Sequence, residues 1–457
     1  MARAIAAARW AICGGSIIGV PRFAAGDGCP RGRYRQTITG ERSMPMLKAI
    51  FCLALAVSTV AAARAPSNPV ADAPELSQLG AAGVGLERMT VTTPGGRSLA
   101  IMLWYPALPA PNATPELYAR TLTPDGAPPL DLTTEGIAVA GAAPKPGRSP
   151  LVVISHGFGG WAGGMTYLAE NLASKGYVVA AIDHADGQGG GGGAAGRVRV
   201  AGAIINRARD QQAVLAAFIA RAADPKDVVG RRIDANNIAL IGYSMGGFGA
   251  LATAGAAYDK AAPSVAPLGG LLDDQTIRAA DPHLKAIVAI APWGGQPAYR
   301  AWTPASVAAI RVPSLFVAGD HDDVAQYPDG IRWLYDNATA SNRWLLVYRE
   351  ARHNVGGNPP PPETLARPDM AENFAEPVWR PERINAINQH FITAFLDRFL
   401  KGDAKHGAYL DVPTVDADAA TWANAGRGYA GAAQTSYWPG FQRRWLLGLE
   451  LHHDAAR

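Results

Sequence analysis

Residues 238–251 read Ile-Ala-Leu-Ile-Gly-Tyr-Ser-Met-Gly-Gly-Phe-Gly-Ala-Leu, and the reading of this stretch decides the fold. The apolar run 238–241 has the length of a buried strand. Gly242-Tyr243-Ser244-Met245-Gly246 spells G-x-S-x-G, and small residues then continue in helix-compatible order. The spacing has a steric origin. A serine that attacks a carbonyl must stand exposed at a tight bend between strand and helix. Side chains two positions to either side would strike neighbouring backbone, so glycine is favoured there. Ser244 is therefore the candidate nucleophile. The competing reading is a glycine-rich turn in a purely structural strand–helix unit, and only the presence of chemical partners separates the two.

Outward from the elbow, short apolar runs alternate with helical stretches. Runs at 151–155, 177–182, 286–290, 314–318 and 344–348 have the continuous apolar character of strands buried on both faces. Helical spacing appears at 166–175, 207–222 and 384–400. Strands alternating with helices imply a mostly parallel central sheet with helices on both faces, an α/β class. Upstream, the β-rich runs 88–93 and 97–105 flank Pro94-Gly95-Gly96 and predict a hairpin. Residues 107–148, rich in Pro, Ala, Thr and Gly, predict a long surface excursion. The main domain is expected over 81–403, with 258–284 as a candidate lid, 66–80 as a Pro/Ala/Ser-rich linker, and 404–457 as a C-terminal extension packing on the domain. The glycine tract 187–196 lacks the G-K-[ST] ending of a phosphate loop and is given no nucleotide role.

A nucleophilic serine needs a base, and the base needs an orienting acid. Candidates occur in the order Ser, Asp, His, each just beyond a predicted strand. His353 follows the strand 344–348 and is the candidate base. The candidate acid lies in Asp320-His321-Asp322-Asp323 after the strand 314–318. A turn that leaves the strand at Gly319 and places the acid three residues on selects Asp322, with Asp320 and Asp323 as alternatives. Two backbone amides are candidate oxyanion donors: Met245, directly after the nucleophile, and Phe158, in His156-Gly157-Phe158-Gly159-Gly160 after the strand 151–155. His156 is read as tying down its own loop, and Asp183-His184 as strand-end hydrogen bonding. Trp161 and Trp293 follow strand ends and are candidates for binding an acyl or aromatic group, or equally for core packing. No spacing of His, Cys, Asp and Glu suggests a metal, and no cofactor is called for.

The net charge of +4 over 457 residues is unevenly placed. Residues 1–65 hold nine basic and two acidic groups, which leaves 33 basic and 36 acidic groups in residues 66–457, a net of −3. That balance gives no support to nucleic-acid binding. All three cysteines (Cys13, Cys29, Cys52) lie in the same leader. Lys48, the apolar run 49–57 and the small residues Ala61-Ala62-Ala63 have the order of a cleaved export signal, too short to span a bilayer well. The signal is placed at 44–63/65. Met44 and Met46 are candidate true starts, with 1–43 a misassigned extension. Cys52 lies inside the apolar run, which argues against a lipid anchor. A secreted or periplasmic location is expected, with no stable membrane span.

Five islands carry a family resemblance: Leu103-Trp104-Tyr105-Pro106, Ser155 to Gly160, Gly242 to Gly247, the Gly319-x-x-Asp322 turn and His353. Between about Leu103 and Asp403 the chain resembles the serine α/β-hydrolases grouped as predicted dienelactone hydrolases, and the related platelet-activating-factor acetylhydrolases. Dienelactone hydrolases carry cysteine where Ser244 stands, so that substrate does not transfer. Tyr243-Ser244-Met245 and Ala291-Pro292-Trp293 are also similar, more weakly, to cutinase-like polyester hydrolases. The resemblance implies an α/β-hydrolase fold with an eight-stranded sheet, and ester hydrolysis through an acyl-enzyme on a small-molecule, lipid or polyester substrate. A serine peptidase of related fold and a non-catalytic binding protein that keeps the fold are the alternatives.

Overall fold

The computed structural model describes residues 72–457 apart from 111, 124–127, 185, 187–192, 276–279 and 424–432. The leader, its three cysteines and part of the glycine tract lie outside the described residues. Twelve strands occur among those described: β1 (Gly83–Thr92), β2 (Ser98–Ala107), β3 (Leu117–Leu122), β4 (Leu130–Glu135), β5 (Val139–Ala140), β6 (Ser149–Ser155), β7 (Val178–Asp183), β8 (Ile233–Tyr243), β9 (Leu284–Ile290), β10 (Ser314–Gly319), β11 (Arg343–Tyr348) and β12 (Leu449–Asp454). Ten of them form one sheet in the order β12-β11-β10-β9-β8-β6-β7-β2-β1-β5, and β3 and β4 pair separately.

The central strands β6 to β11 run parallel. Their apolar side chains are buried on both faces, which is why they read as continuous runs rather than alternations. Helices α1 (Thr166–Ser174), α2 (Gly193–Ala223) and α3 (Met245–Thr253), together with the long helix Pro381–Leu396, supply the covering layers. The β1–β2 hairpin forms as its Pro-Gly-Gly turn predicts, Thr92 opposite Ser98.

Register aligns the carboxyl ends of the parallel strands. Ser155 of β6 lies opposite Ile182 of β7 and Gly242 of β8. Tyr243 lies opposite Ile290 of β9, and Gly319 of β10 opposite Tyr348 of β11. The loops carrying His156, His184, Ser244, Trp293, Asp322 and His353 therefore leave the same end of the sheet, where ligand sites of open α/β sheets form.

Four expectations are corrected. The sheet has ten strands rather than eight, because the excursion contributes β5 beside β1 and the C-terminal stretch contributes β12, antiparallel to β11. The excursion is also anchored inside the body. Tyr118 is buried, its hydroxyl taking the Trp104 indole N–H at 2.7 Å and donating to Glu170 at 2.7 Å. Residues 72–80 are not a free linker. Leu76 is buried, its amide donates to His390 Nδ1 at 3.1 Å, Lys175 caps its carbonyl, and Asp72 is ion-paired with Arg380 and Arg383. Helix α2 begins at Gly193 rather than 207, since the Ala/Val/Ile-rich stretch 198–206 extends it upstream. Of the lid candidate, Tyr258 stacks on Phe248 of α3 at 5.2 Å, and Val265 and Leu272 are buried in the core.

Candidate functional site

The elbow takes the shape its glycines allow. A Cβ at Gly242 would overlap the Gly246 carbonyl, and one at Gly246 would overlap the Ser155 carbonyl of β6. Between them Ser244 adopts φ 52° and ψ −114°, a conformation that L residues rarely occupy and that a well-packed surround must hold. The surround is visible. Ser244 donates its amide to Ile290 at 2.8 Å, and its carbonyl accepts from Phe248 at 3.0 Å and Trp293 at 3.1 Å. The residue is 8% exposed.

Its hydroxyl lies 2.9 Å from His353 Nε2. His353 Nδ1 lies 2.7 Å from Asp322 Oδ2. An ionised carboxylate only accepts, so Nδ1 carries the hydrogen and Nε2 is left to accept from Ser244. The other Asp322 oxygen takes the amides of Val324 at 2.9 Å and Ala325 at 2.7 Å. The two alternative acids are engaged elsewhere. Asp320 accepts from His321 and from the Glu350 amide, and Asp323 pairs with Arg352 at 2.7 Å. Ser244, His353 and Asp322 are thus brought into one hydrogen-bonded chain.

The loop after β6 approaches the same point: a Cβ at Gly157 would stand 3.4 Å from Ser244 Cβ. Its carbonyls are gripped from behind. Buried Arg207 of α2 donates to the His156 carbonyl and, at 3.1 Å, to the Gly157 carbonyl, while also pairing with Asp186. His156 Nδ1 (2.6 Å) and the Gly160 amide (3.1 Å) reach the Gly157 oxygen too. A peptide unit is planar and trans, so fixing the Gly157 carbonyl fixes the Phe158 N–H in the opposite direction. The Met245 amide stands at the first residue of α3, where N–H groups have no partner within the helix. Arg120 holds the loop further along, at the Gly159 carbonyl, 2.7 Å.

His156 and His184 are buried and differently employed. His156 Nε2 accepts the His184 amide at 3.1 Å. His184 Nε2 lies 2.8 Å from Ser155 Oγ, and its Nδ1 lies 2.8 Å from Asp210 of α2, which Arg97 also pairs. Burial first, and the Arg207 charge second, hold both imidazoles well below their usual titration range, so both are neutral.

Both tryptophans are half-buried. Trp293, bonded through its amide to Ser244, packs edge-on against Phe248 at 5.6 Å and lies 5.4 Å from exposed Tyr299. Trp161 covers Gly163, where a Cβ would strike its ring.

Sequence reasoning missed Arg207 and Glu376. Arg207 had only a weak signal, a charged residue on the buried face of α2, which carries apolar Ala203, Ile204, Ala208 and Val214 but also Asp210 and Gln211. Glu376 follows a stretch without periodicity and had none. Among the described residues one group of ligand-type atoms is close enough for a cation, Asp397, Asp403 and His406. It does not fit one: Asp397 already takes Tyr177 at 2.5 Å, Lys401 at 2.7 Å and His406 at 2.6 Å, an ammonium among them. No helix among the described residues is long and apolar enough to cross a membrane.

Residues 148–293 match the family model described as serine aminopeptidase, S33. Cutinase 2 of Thermobifida cellulosilytica is 26% identical over 259 residues, 57% of this chain and 71% of that protein. Cutinase cut1 of Thermobifida fusca is also 26% identical over 259 residues, and there the match spans only 59% of the relative. A ferulic acid esterase structure from Streptomyces cinnamoneus aligns with TM-score 0.47 and 21% identity, covering 74% of this chain and 93% of that one. The chain has the α/β-hydrolase fold, a large, mostly parallel sheet flanked by helices.

Proposed function

We propose that this α/β-hydrolase is an exported serine hydrolase that cleaves carboxylic esters through an acyl-enzyme. One observation carries the reading: the hydrogen-bonded chain from Ser244 through His353 to Asp322, set at a strained elbow. In the proposed mechanism Ser244 Oγ attacks the ester carbonyl carbon while His353 Nε2 takes its proton. Asp322 keeps the imidazole in the accepting tautomer and stabilises the imidazolium that forms. The Phe158 and Met245 amides receive the oxyanion, each such donor worth about 10²–10³ in rate. Collapse expels the alcohol, which leaves with the proton from His353. Water, deprotonated by the same nitrogen, then releases the acid and restores Ser244.

Cutinase similarity favours ester substrates, and Trp293 beside Ser244 offers an aromatic wall for an acyl or aromatic group; Trp161 is assigned the same role. The resemblance to the dienelactone-hydrolase and acetylhydrolase branch remains part of the proposal, as does the export signal. Replacing Ser244 with Ala and assaying short p-nitrophenyl esters tests the reading; undiminished turnover would sink it. The family-model match favours a second reading, an S33-type peptidase. Comparing an ester with its matching amide separates the two, a faster amide overturning the esterase. A folded sample that a fluorophosphonate cannot label at Ser244 would point to a non-catalytic binding protein.

A further inference from the structure

The loop that carries His353 is short and has no regular secondary structure, yet its backbone is held on three sides. Glu376 accepts the amide of Arg352 on one carboxylate oxygen at 2.5 Å and the amide of Asn354 on the other at 2.6 Å. These are the two residues flanking His353. The His353 carbonyl takes the Tyr243 hydroxyl at 3.1 Å, so the residue before the candidate nucleophile reaches across to the candidate base. Asn354 returns the grip, its side-chain amide donating to the carbonyls of Glu372 at 2.8 Å and Ala375 at 3.1 Å. Arg352 turns its guanidinium away, onto Asp323.

We propose that Glu376 is a positioning residue for the base: one buried carboxylate clamps both peptides around His353 and sets the imidazole at hydrogen-bond distance from Ser244. The assignment rests on His353 acting as the base. A carboxylate suits the task because it offers two acceptor oxygens and no donor, one for each of the two converging N–H groups. Its charge adds a second effect. His353 and Asp322 are the ionisable groups that act on Glu376, and Asp322 and Tyr243 face His353 from the acid loop and the elbow. Glu376 is thus a second negative charge near the imidazole, and it favours the imidazolium that forms during attack.

The test compares wild type, E376Q and E376D, each with active sites titrated by a fluorophosphonate and kcat and KM measured against pH on a p-nitrophenyl ester. Gln keeps the size but presents one oxygen and a donor. Per titrated site, kcat of E376Q should fall about 10- to 100-fold with KM within about twofold, the scale of a loosened catalytic group. The acidic limb of kcat/KM should move to lower pH, because a negative charge beside His353 has been removed. Asp keeps the charge on an arm too short for both amides, so E376D should lose kcat with the acidic limb in place. Wild-type kcat and an unmoved limb in E376Q overturn the assignment, as does a loss fully accounted for by fewer titrated sites. Should E376Q not fold, wild-type kcat in E376D overturns it. A wild type that does not titrate removes the serine-hydrolase reading itself, and this assignment with it.

Discussion

Among the described residues two Ser–His–Asp chains occur, both at the carboxyl end of the sheet. Ser244–His353–Asp322 and Ser155–His184–Asp210 have nearly the same hydrogen-bond lengths, 2.9 and 2.7 Å against 2.8 and 2.8 Å. In both, the carboxylate fixes the hydrogen on Nδ1. Connectivity therefore does not distinguish them, and surroundings do. Ser155 is fully buried at the end of an ordinary strand, whereas Ser244 stands partly open at a strained bend with a helix N-terminus behind it. His184 is wholly enclosed and its charged form is suppressed by burial and Arg207. His353 keeps some exposure, 12% of its side chain. The buried chain joins the ends of β6 and β7 to α2, and so braces the loop that presents the Phe158 amide. The same three residue types make a strut in one place and a candidate active site in the other. A base must be able to gain charge, and a serine must have room for a carbonyl.

The largest contrast should come from the serines. Ser244→Ala should lower kcat by at least about 10⁴-fold and abolish fluorophosphonate labelling. Ser155→Ala should leave kcat within about tenfold, and cost about 1–3 kcal/mol of stability in urea titration for the unsatisfied His184 nitrogen. Equal losses of activity would erase the distinction. The acids come next. Asp322→Asn should cost about 10⁴ in kcat with little change in melting temperature, through the wrong imidazole tautomer. Asp210→Asn should do the reverse, destabilising by about 1–3 kcal/mol because buried His184 loses its carboxylate acceptor and Arg97 one of its acidic neighbours. Arg207→Lys probes the brace itself. Lysine lacks the planar two-nitrogen fork by which Arg207 spans both carbonyls and Asp186, so kcat should fall about tenfold while the ester's KM stays near wild type, read by steady-state kinetics.

The smallest effect concerns pH. His156, His184 and His390 are all shifted below the ordinary histidine range by burial, His390 down to about 3. A histidine whose folded value is depressed binds its proton more readily when unfolded. The stability it contributes is present above about pH 6.5 and is lost as pH falls towards the folded value. Glu170 and Glu376, raised by burial, act in the opposite direction. Replacing one histidine isolates its share: His390→Gln, which can still accept the Leu76 amide, should reduce proton uptake on unfolding near pH 5 by about one. An unchanged slope of stability against pH would contradict this.

What was legible in the sequence follows from how local each signal is. The elbow and the central strands announce themselves within a dozen residues, because buried strands must be apolar and the bend must have its glycines. Asp322 needed more. Four residues, three of them aspartates, share a turn, and only the tertiary partners of Asp320 and Asp323 show which carboxylate is left to face His353. Strand β12 is short and polar on one face, as an edge strand should be, and nothing in its own residues names β11 as its partner. Arg207 and Glu376 act on backbone groups 50 to 51 and 22 to 24 residues away, and backbone groups leave no mark in a sequence. The second Ser–His–Asp chain was hidden in the same way, since its acid lies in the middle of a helix.

The strap at 72–80 has a consequence for the timing of assembly. Leu76 bonds His390 across 314 residues, Glu75 donates to the Gly440 carbonyl, and Gln442 reaches the Ala73 carbonyl. The first of these contacts cannot form until residue 390 has been made, and the other two wait for residues 440 and 442. During synthesis the 72–80 segment, among the first of the described residues to be made, therefore completes its contacts only when nearly all of the chain is present.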